Sequence, residues 1–325
     1  MSSWQTLLAK HLQTASRPLV VVLGPTASGK TAFSIDCCEA IPTLNGSWTG
    51  AEVINADSRQ CYRGFDIGTA KVTAEEARGV PHRLIDVLDP RARVTIAWYR
   101  ERALAEIDAV LAARRVPVLV GGSMLYISAV IDGLEPLPVA EPVLRERLQR
   151  EYDTLGPDAL LRRLAELDPE TAASIEPRNK VYLVRALEIV EQTGVPVSRQ
   201  RRMSGCAYDL LAFGMAWEPE ALAQRINARA ALMLGAGWVE EVARLLREGV
   251  PLEAPAMISH GYREIAAALR HHATERGCSI DDPSVIAAVR SDATLADGIA
   301  AHTRRYAKRQ RTWWRHDERI HWFRP

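Results

Sequence analysis

Apolar residues in this chain recur as short unbroken runs separated by stretches of helical periodicity, the pattern of buried parallel strands alternating with amphipathic helices. The first run, Pro18-Leu19-Val20-Val21-Val22-Leu23, is continuous and β-branched, which predicts a strand covered on both faces. Residues 51–58 predict a short strand ending in polar residues, and 81–86 lead into an edge strand. Ala97, Tyr99, Leu104, Ile107, Val110 and Leu111 keep helical spacing, and 116–122 form the next strand, closed by a glycine pair and Ser123. At Pro136, Pro138 and Pro142 the character changes to densely charged helix. Asp168-Pro169 reads as a capped helix start, and a further helix over 181–190 stops near Gly194. A last apolar strand covers 210–217, and the remainder is mostly helical, with long loops expected at 43–50 and 271–283.

These elements, with the phosphate-binding sequence G-x-x-x-x-G-K-T that follows the first strand at 24–31, predict an α/β fold: a P-loop NTPase-like parallel sheet flanked by helices over 1–137 and 209–325, interrupted by a mostly helical insertion domain at 138–208. Composition changes little, with 47% hydrophobic and 25% charged residues among 325. The net charge of +1 means that any affinity for nucleic acid must come from local patches. Cysteines at 37, 38, 61, 206 and 278 form no C-x-x-C pair or His/Cys cluster, so reduced thiols and no zinc site are expected. Gln5, Lys10, His11 and Gln13 argue against a signal peptide, and no apolar run reaches membrane-spanning length. The expectation is a cytoplasmic monomer without membrane contact.

The chemistry begins where the first strand feeds Gly24-Pro25-Thr26-Ala27-Ser28-Gly29-Lys30-Thr31, the G-x-x-x-x-G-K-T phosphate-binding pattern in its required context after a strand. Its glycines let backbone N–H groups turn inward on anionic oxygens, a helix N-terminus adds its dipole, and Lys30 adds a charge. Thr31 offers a hydroxyl suited to Mg²⁺. A di- or triphosphate is expected here. Asp57, at a strand end beside this loop, suits a Mg²⁺ ligand, a general base or a turn cap. Lys71 could reach a phosphate, with an exposed structural lysine as the alternative. Arg225 and Arg229 share a helix face and could clamp a diphosphate, or could line a solvated face. In the stretch 302–315, cationic residues alternate with Tyr306, Trp313 and Trp314, which suits RNA phosphates and bases, or a terminal helix packing its tryptophans inward.

Taken together, Gly24–Thr31, Asp57-Ser58-Arg59-Gln60 with Tyr62, Asp66-Ile67-Gly68-Thr69-Ala70-Lys71, Pro81–Asp86, Gly121-Gly122, Arg185–Glu188, Gly261-Tyr262-Arg263-Glu264 and the block from Thr303 to Trp313 resemble the tRNA dimethylallyltransferases (tRNA isopentenyltransferases). The resemblance covers nearly the whole chain. It implies transfer of a dimethylallyl group from dimethylallyl diphosphate, with Mg²⁺, to the exocyclic amine of the adenosine just 3′ of the anticodon in tRNA. That base would leave the loop stack to reach the diphosphate. By the same resemblance Asp57 is the general base, Lys30 and Arg225 stabilise the leaving group, and Thr26 and Thr31 contact diphosphate and metal. Ser58, Arg59 and Gln60 would read the flipped base. Ser123, Arg145, Arg185, Ile258, His260, Gly261, Tyr262, Arg263, Lys308, Arg309, Gln310, Arg311, Thr312, Trp313, Trp314 and Arg315 would meet the tRNA, and the insertion would grip the anticodon stem. Three departures stand out: Ser123 for the usual Thr, Val181-Tyr182 for a Gln-Arg pair, and Cys61 for an aliphatic residue. The rivals are a small-molecule or nucleoside kinase, a prenyltransferase of free adenine nucleotides, and an RNA-binding NTP switch.

Overall fold

The structure is a computed structural model that describes residues 2–44, 47–135, 137–200 and 203–324. In chain order the first half runs α1 (Ser3–Thr14), β1 (Pro18–Leu23), α2 (Lys30–Leu44), β2 (Ala51–Asn55), α3 (Ala74–Ala77), β3 (His82–Arg83), α4 (Ile96–Ala112), β4 (Val116–Gly121) and α5 (Met124–Ile131). Five helices follow: α6 (Pro142–Leu155), α7 (Pro157–Leu167), α8 (Pro169–Ser174), α9 (Lys180–Thr193) and α10 (Val197–Gln200). The chain then continues as β5 (Asp209–Met215), α11 (Pro219–Gly235), α12 (Trp238–Arg247), α13 (Tyr262–Arg276), α14 (Pro283–Arg290), α15 (Ala293–Trp314) and β6 (Ile320–Phe323).

The six strands form one sheet in the order β3-β2-β4-β1-β5-β6, with every pairing parallel. β1 is central: Val20 aligns with Val118 on one side and Leu211 on the other, and all six of its residues are buried. That explains its unbroken apolar sequence, because no position of a covered parallel strand faces water. β2, next in sequence, lies beyond β4, so the order reverses at β1 and β4 and opens a crevice at their carboxyl ends. Leu8, Leu12, Cys37, Cys38 and Ile41 pack on one face against Val20, Val22, Val53, Val118 and Phe213.

Two compact units emerge. The first comprises 1–94, 98–127 and 208–325, and contains the sheet. The second comprises 95–97 and 128–207, with a core of its own built on Leu148, Leu160, Leu164, Leu183, Leu187 and Ile189. In that unit Asp168 caps α8 as its sequence predicts, accepting the Thr171 N–H, while Gly194 closes α9 in the left-handed conformation. The loop expected at 271–283 is shorter than its sequence suggested, because α13 continues to Arg276 and Gly277 ends it. Of the loop expected at 43–50, residues 45–46 lie outside the described residues. No helix among the described residues is long and apolar enough to cross a membrane.

Candidate active site

The loop between β1 and α2 is held by side chains from far along the chain. Ala27 adopts φ 63°, a left-handed conformation unfavourable to a residue with a Cβ. Its carbonyl accepts from Arg225 Nε at 2.8 Å, and the next carbonyl, of Ser28, accepts from Trp217 Nε1 at 2.9 Å. The Arg225 guanidinium in turn lies 4.3 Å above the Trp217 ring. Thr26 N–H donates to Gln310 Oε1 at 3.1 Å, and Gln310 Nε2 donates to the Gly122 carbonyl at 2.7 Å, so one amide ties the loop to the end of β4. Gly24 is needed for proximity: a Cβ there would lie 3.1 Å from Met215 Cβ. With these carbonyls turned outward, the N–H groups of Gly29, Lys30 and Thr31 have no protein partner among the described residues. Orphan donors at a helix N-terminus form an anion site.

Across the crevice, Asn55 at the end of β2 builds the turn that presents Asp57. Asn55 Nδ2 donates to the carbonyls of Leu84 and Asp57, each at 3.0 Å, and Asn55 Oδ1 accepts the Asp57 N–H at 3.0 Å. Asp57 Oδ1 caps the turn by accepting Arg59 N–H at 2.9 Å, while Oδ2 has no hydrogen-bond partner among the described residues. Asp57, Lys30, Arg225 and Arg229 share one field. Burial pushes Lys30 down to about 8, opposed by the Asp57 charge and reinforced by Arg229. Burial likewise lowers Arg229, with Asp57 and Glu76 opposing and Arg225 reinforcing. Lys30 Nζ donates to the Pro25 carbonyl at 2.7 Å, and none of the three cations has a carboxylate within ion-pair distance among the described residues. The site therefore gathers three cations, three free N–H groups and one carboxylate. Trp217 and Arg229 complete it, yet only the helical spacing of Arg229 hinted at either.

A second set of contacts fixes the chain that follows Asp57. The carboxylate of Glu241 accepts N–H groups from Asp66, Ile67 and Gly68, plus Tyr262 OH at 2.5 Å. The Trp238 indole fills the space that a Cβ on Gly68 or Gly261 would enter, 2.0 Å away in each case. Lys71 is neither exposed nor pointed at the phosphate loop: its ammonium donates to Tyr62 O, Asp66 and Asp86. Gln60 Nε2 bonds the carbonyls of Thr69 and Ala70, and Arg59 donates to the Pro255 carbonyl. Cys61 is fully buried, its thiol pushed up to about 12 by burial.

The basic-aromatic stretch falls on α15 and divides by face. Lys308, Arg309, Arg311, Thr312, Trp313 and Arg315 are exposed, as are His260, Arg263 and Ile258, while Ser58 and Ser123 are half-buried. Gln310, Trp314, Gly261 and Tyr262 are buried and lie beneath that surface. In the helical unit, Arg145 and Arg185 both donate to the buried carboxylate of Glu188. His260, Glu264 and His302, distant in sequence, bring their ligand atoms within 4.8 Å of one another.

Against known proteins, the family model described as IPP transferase matches residues 60–317. The tRNA dimethylallyltransferase of Symbiobacterium thermophilum is 41% identical over 94% of this chain and 88% of its own length; that of Geobacter sulfurreducens is 40% identical over 94% and 91%. Among solved structures, the full-length tRNA isopentenylpyrophosphate transferase from Bacillus halodurans superposes with a TM-score of 0.62 at 33% identity, covering 95% of this chain and 90% of its own. A eukaryotic dimethylallyltransferase acting on tRNA shares the fold, with a TM-score of 0.67 at 23% identity over 92% of this chain and 70% of its own. With most of its length matched on each count, this chain belongs to the IPP transferase family.

Proposed function

We propose that this enzyme prenylates tRNA: it moves a dimethylallyl group from dimethylallyl diphosphate to the exocyclic N6 amine of the adenosine just 3′ of the anticodon, releasing diphosphate. The observation that carries the reading is the unpaired cluster of Lys30, Arg225 and Arg229 beside the free N–H groups of the phosphate loop, facing the carboxylate of Asp57. In the reaction the amine nitrogen forms a bond to C1 of the allyl group as the C1–O bond to diphosphate breaks, and the amine proton passes to Asp57. Charge grows on the leaving oxygens, so donors fixed around them stabilise the transition state more than the ground state. Asp57 Oδ1 is occupied in its turn, which leaves Oδ2 as the base.

The donor set also suits Mg²⁺, a cation that takes oxygen ligands. Thr31 offers an exposed hydroxyl at the start of α2. Bound there with the diphosphate, the ion would neutralise charge on the leaving group. The exposed cations of α15, with Trp313, suit the phosphates and bases of an anticodon stem-loop. The helical insertion, with Arg145 and Arg185, would grip its stem, and the enzyme would act as a cytoplasmic monomer.

Incubation with labelled dimethylallyl diphosphate, Mg²⁺ and undermodified tRNA, against parallel reactions with γ-labelled ATP and with free AMP as acceptor, tests the reading. Label should appear on tRNA from the prenyl donor alone. Transfer of phosphate from ATP would assign a kinase instead, and prenylation of AMP but not tRNA would assign the nucleotide-acting branch.

A further inference from the structure

We propose that His260, Glu264 and His302 form a binding site for a borderline divalent cation of the zinc class, apart from the phosphate loop and independent of the transfer reaction. His260 lies two residues before α13, Glu264 in the first turn of that helix, and His302 in the first half of α15. One ring nitrogen of each histidine and one Glu264 oxygen lie within 4.8 Å of one another. Glu264 is already oriented: Oε2 accepts the Gly261 N–H at 2.7 Å, and Oε1 meets His302 Nδ1 at 2.6 Å. Oε1 and His302 thus need little movement to share an ion. His260 is exposed, with its ring centroid 5.8 Å from that of His302, so its side chain has room to close the set.

The chemistry of the three donors selects the ion. Two imidazoles and a carboxylate suit Zn²⁺, Co²⁺ or Ni²⁺, whereas Mg²⁺ prefers oxygen ligands alone. Three protein ligands leave a position open, and here it adjoins a cavity of about 370 Å³ lined by His260, His302, Arg305 and Arg309. The two guanidinium groups repel a bare cation, but they would hold an anionic fourth ligand such as chloride or phosphate, which offsets that repulsion. An ion bound here would fasten α13 to α15, the helix whose Gln310 braces the phosphate loop.

The test is titration of chelator-treated full-length protein with Co²⁺, followed by visible absorption. One equivalent should produce d–d bands without a thiolate-to-cobalt charge-transfer band. Zn²⁺ should abolish those bands and Mg²⁺ should not. His302→Asn and His260→Asn, each checked for a cooperative melt, should weaken binding by at least about tenfold. His271→Asn with His272→Asn should leave it unchanged. Zn²⁺ should also raise the melting temperature of the unsubstituted protein but not of His302→Asn. Absence of a saturable band, a thiolate signature from Cys206 or Cys278, or equal affinity in His302→Asn would overturn the proposal. So would metal-independent binding of inorganic phosphate in its place.

Discussion

Arginines converge at two places in this molecule, with opposite electrostatic outcomes. In the helical unit, Arg145 and Arg185 both donate to Glu188, whose carboxylate is fully buried and also accepts the Glu141 N–H. There the chain itself supplies a carboxylate partner to both guanidinium groups. At the phosphate loop, Arg225, Arg229 and Lys30 have no such carboxylate among the described residues, and burial depresses two of the three. A paired cluster holds a fold, whereas an unpaired one at a helix N-terminus is set to receive an anion. Exposure alone would have misled, because Arg225 and Arg145 are each open to solvent in part.

The contrast can be broken most sharply at Asp57. Asp57→Asn keeps the oxygen that caps Arg59 N–H but removes the base, so single-turnover prenyl transfer should slow by about 10³-fold. Donor affinity should hold; if it fell together with the rate, Asp57 would be a binding group instead. On the other side of the comparison, Glu188→Ala should destabilise the helical unit by about 3 kcal/mol, the low end for breaking a buried pair because both arginines are partly exposed. Calorimetry of that unit's unfolding checks the loss, and donor binding should be unchanged.

How far the sequence disclosed these features depended on range. β1 and its loop were legible because strand burial and phosphate binding both act through consecutive residues. Asp57 was visible as a strand-end carboxylate, but not which of its oxygens stays open, since that depends on local turn bonds. Trp217, Glu241 and the bracing role of Gln310 were not legible, because their partners lie 189, 175 and 284 residues away. Lys71 gave no sign of burial, because Asp66 and Asp86 are drawn to it only by the folded loop. β6 escaped notice because four residues after a long helix carry too little periodicity. α1 similarly mixes polar and apolar residues until Leu8 and Leu12 meet the sheet.

Smaller effects sharpen the same division. Asp168 is buried, which raises its pKa, but hydrogen bonds from Thr171 and Ser198 prevail and hold it at about 2. Its folded value lies below the unfolded one, so its stabilisation is complete above the unfolded pKa and is lost as pH falls through the folded one. Asp168→Ala should cost about 1–2 kcal/mol near neutrality. The gap between variant and parent in urea unfolding should narrow between pH 5 and pH 2 on the order expected from that linkage. Smallest of all, Gln310→Leu leaves the Thr26 N–H and the Gly122 carbonyl without their shared amide, and should weaken donor binding by about 1 kcal/mol. Isothermal calorimetry reads that change directly.

The unpaired cluster itself is tested by calorimetric titration of dimethylallyl diphosphate across the alkaline range, with parent protein and Arg229→Gln. Burial holds Lys30 at about 8, with Asp57 opposing and Arg229 reinforcing, and a bound diphosphate favours the charged form. Affinity should therefore be level below that pH and fall above it with uptake of a proton, and Arg229→Gln should lose about tenfold throughout. Donor affinity that stays constant from neutral to strongly alkaline pH, and that is equal in Arg229→Gln, would contradict the account.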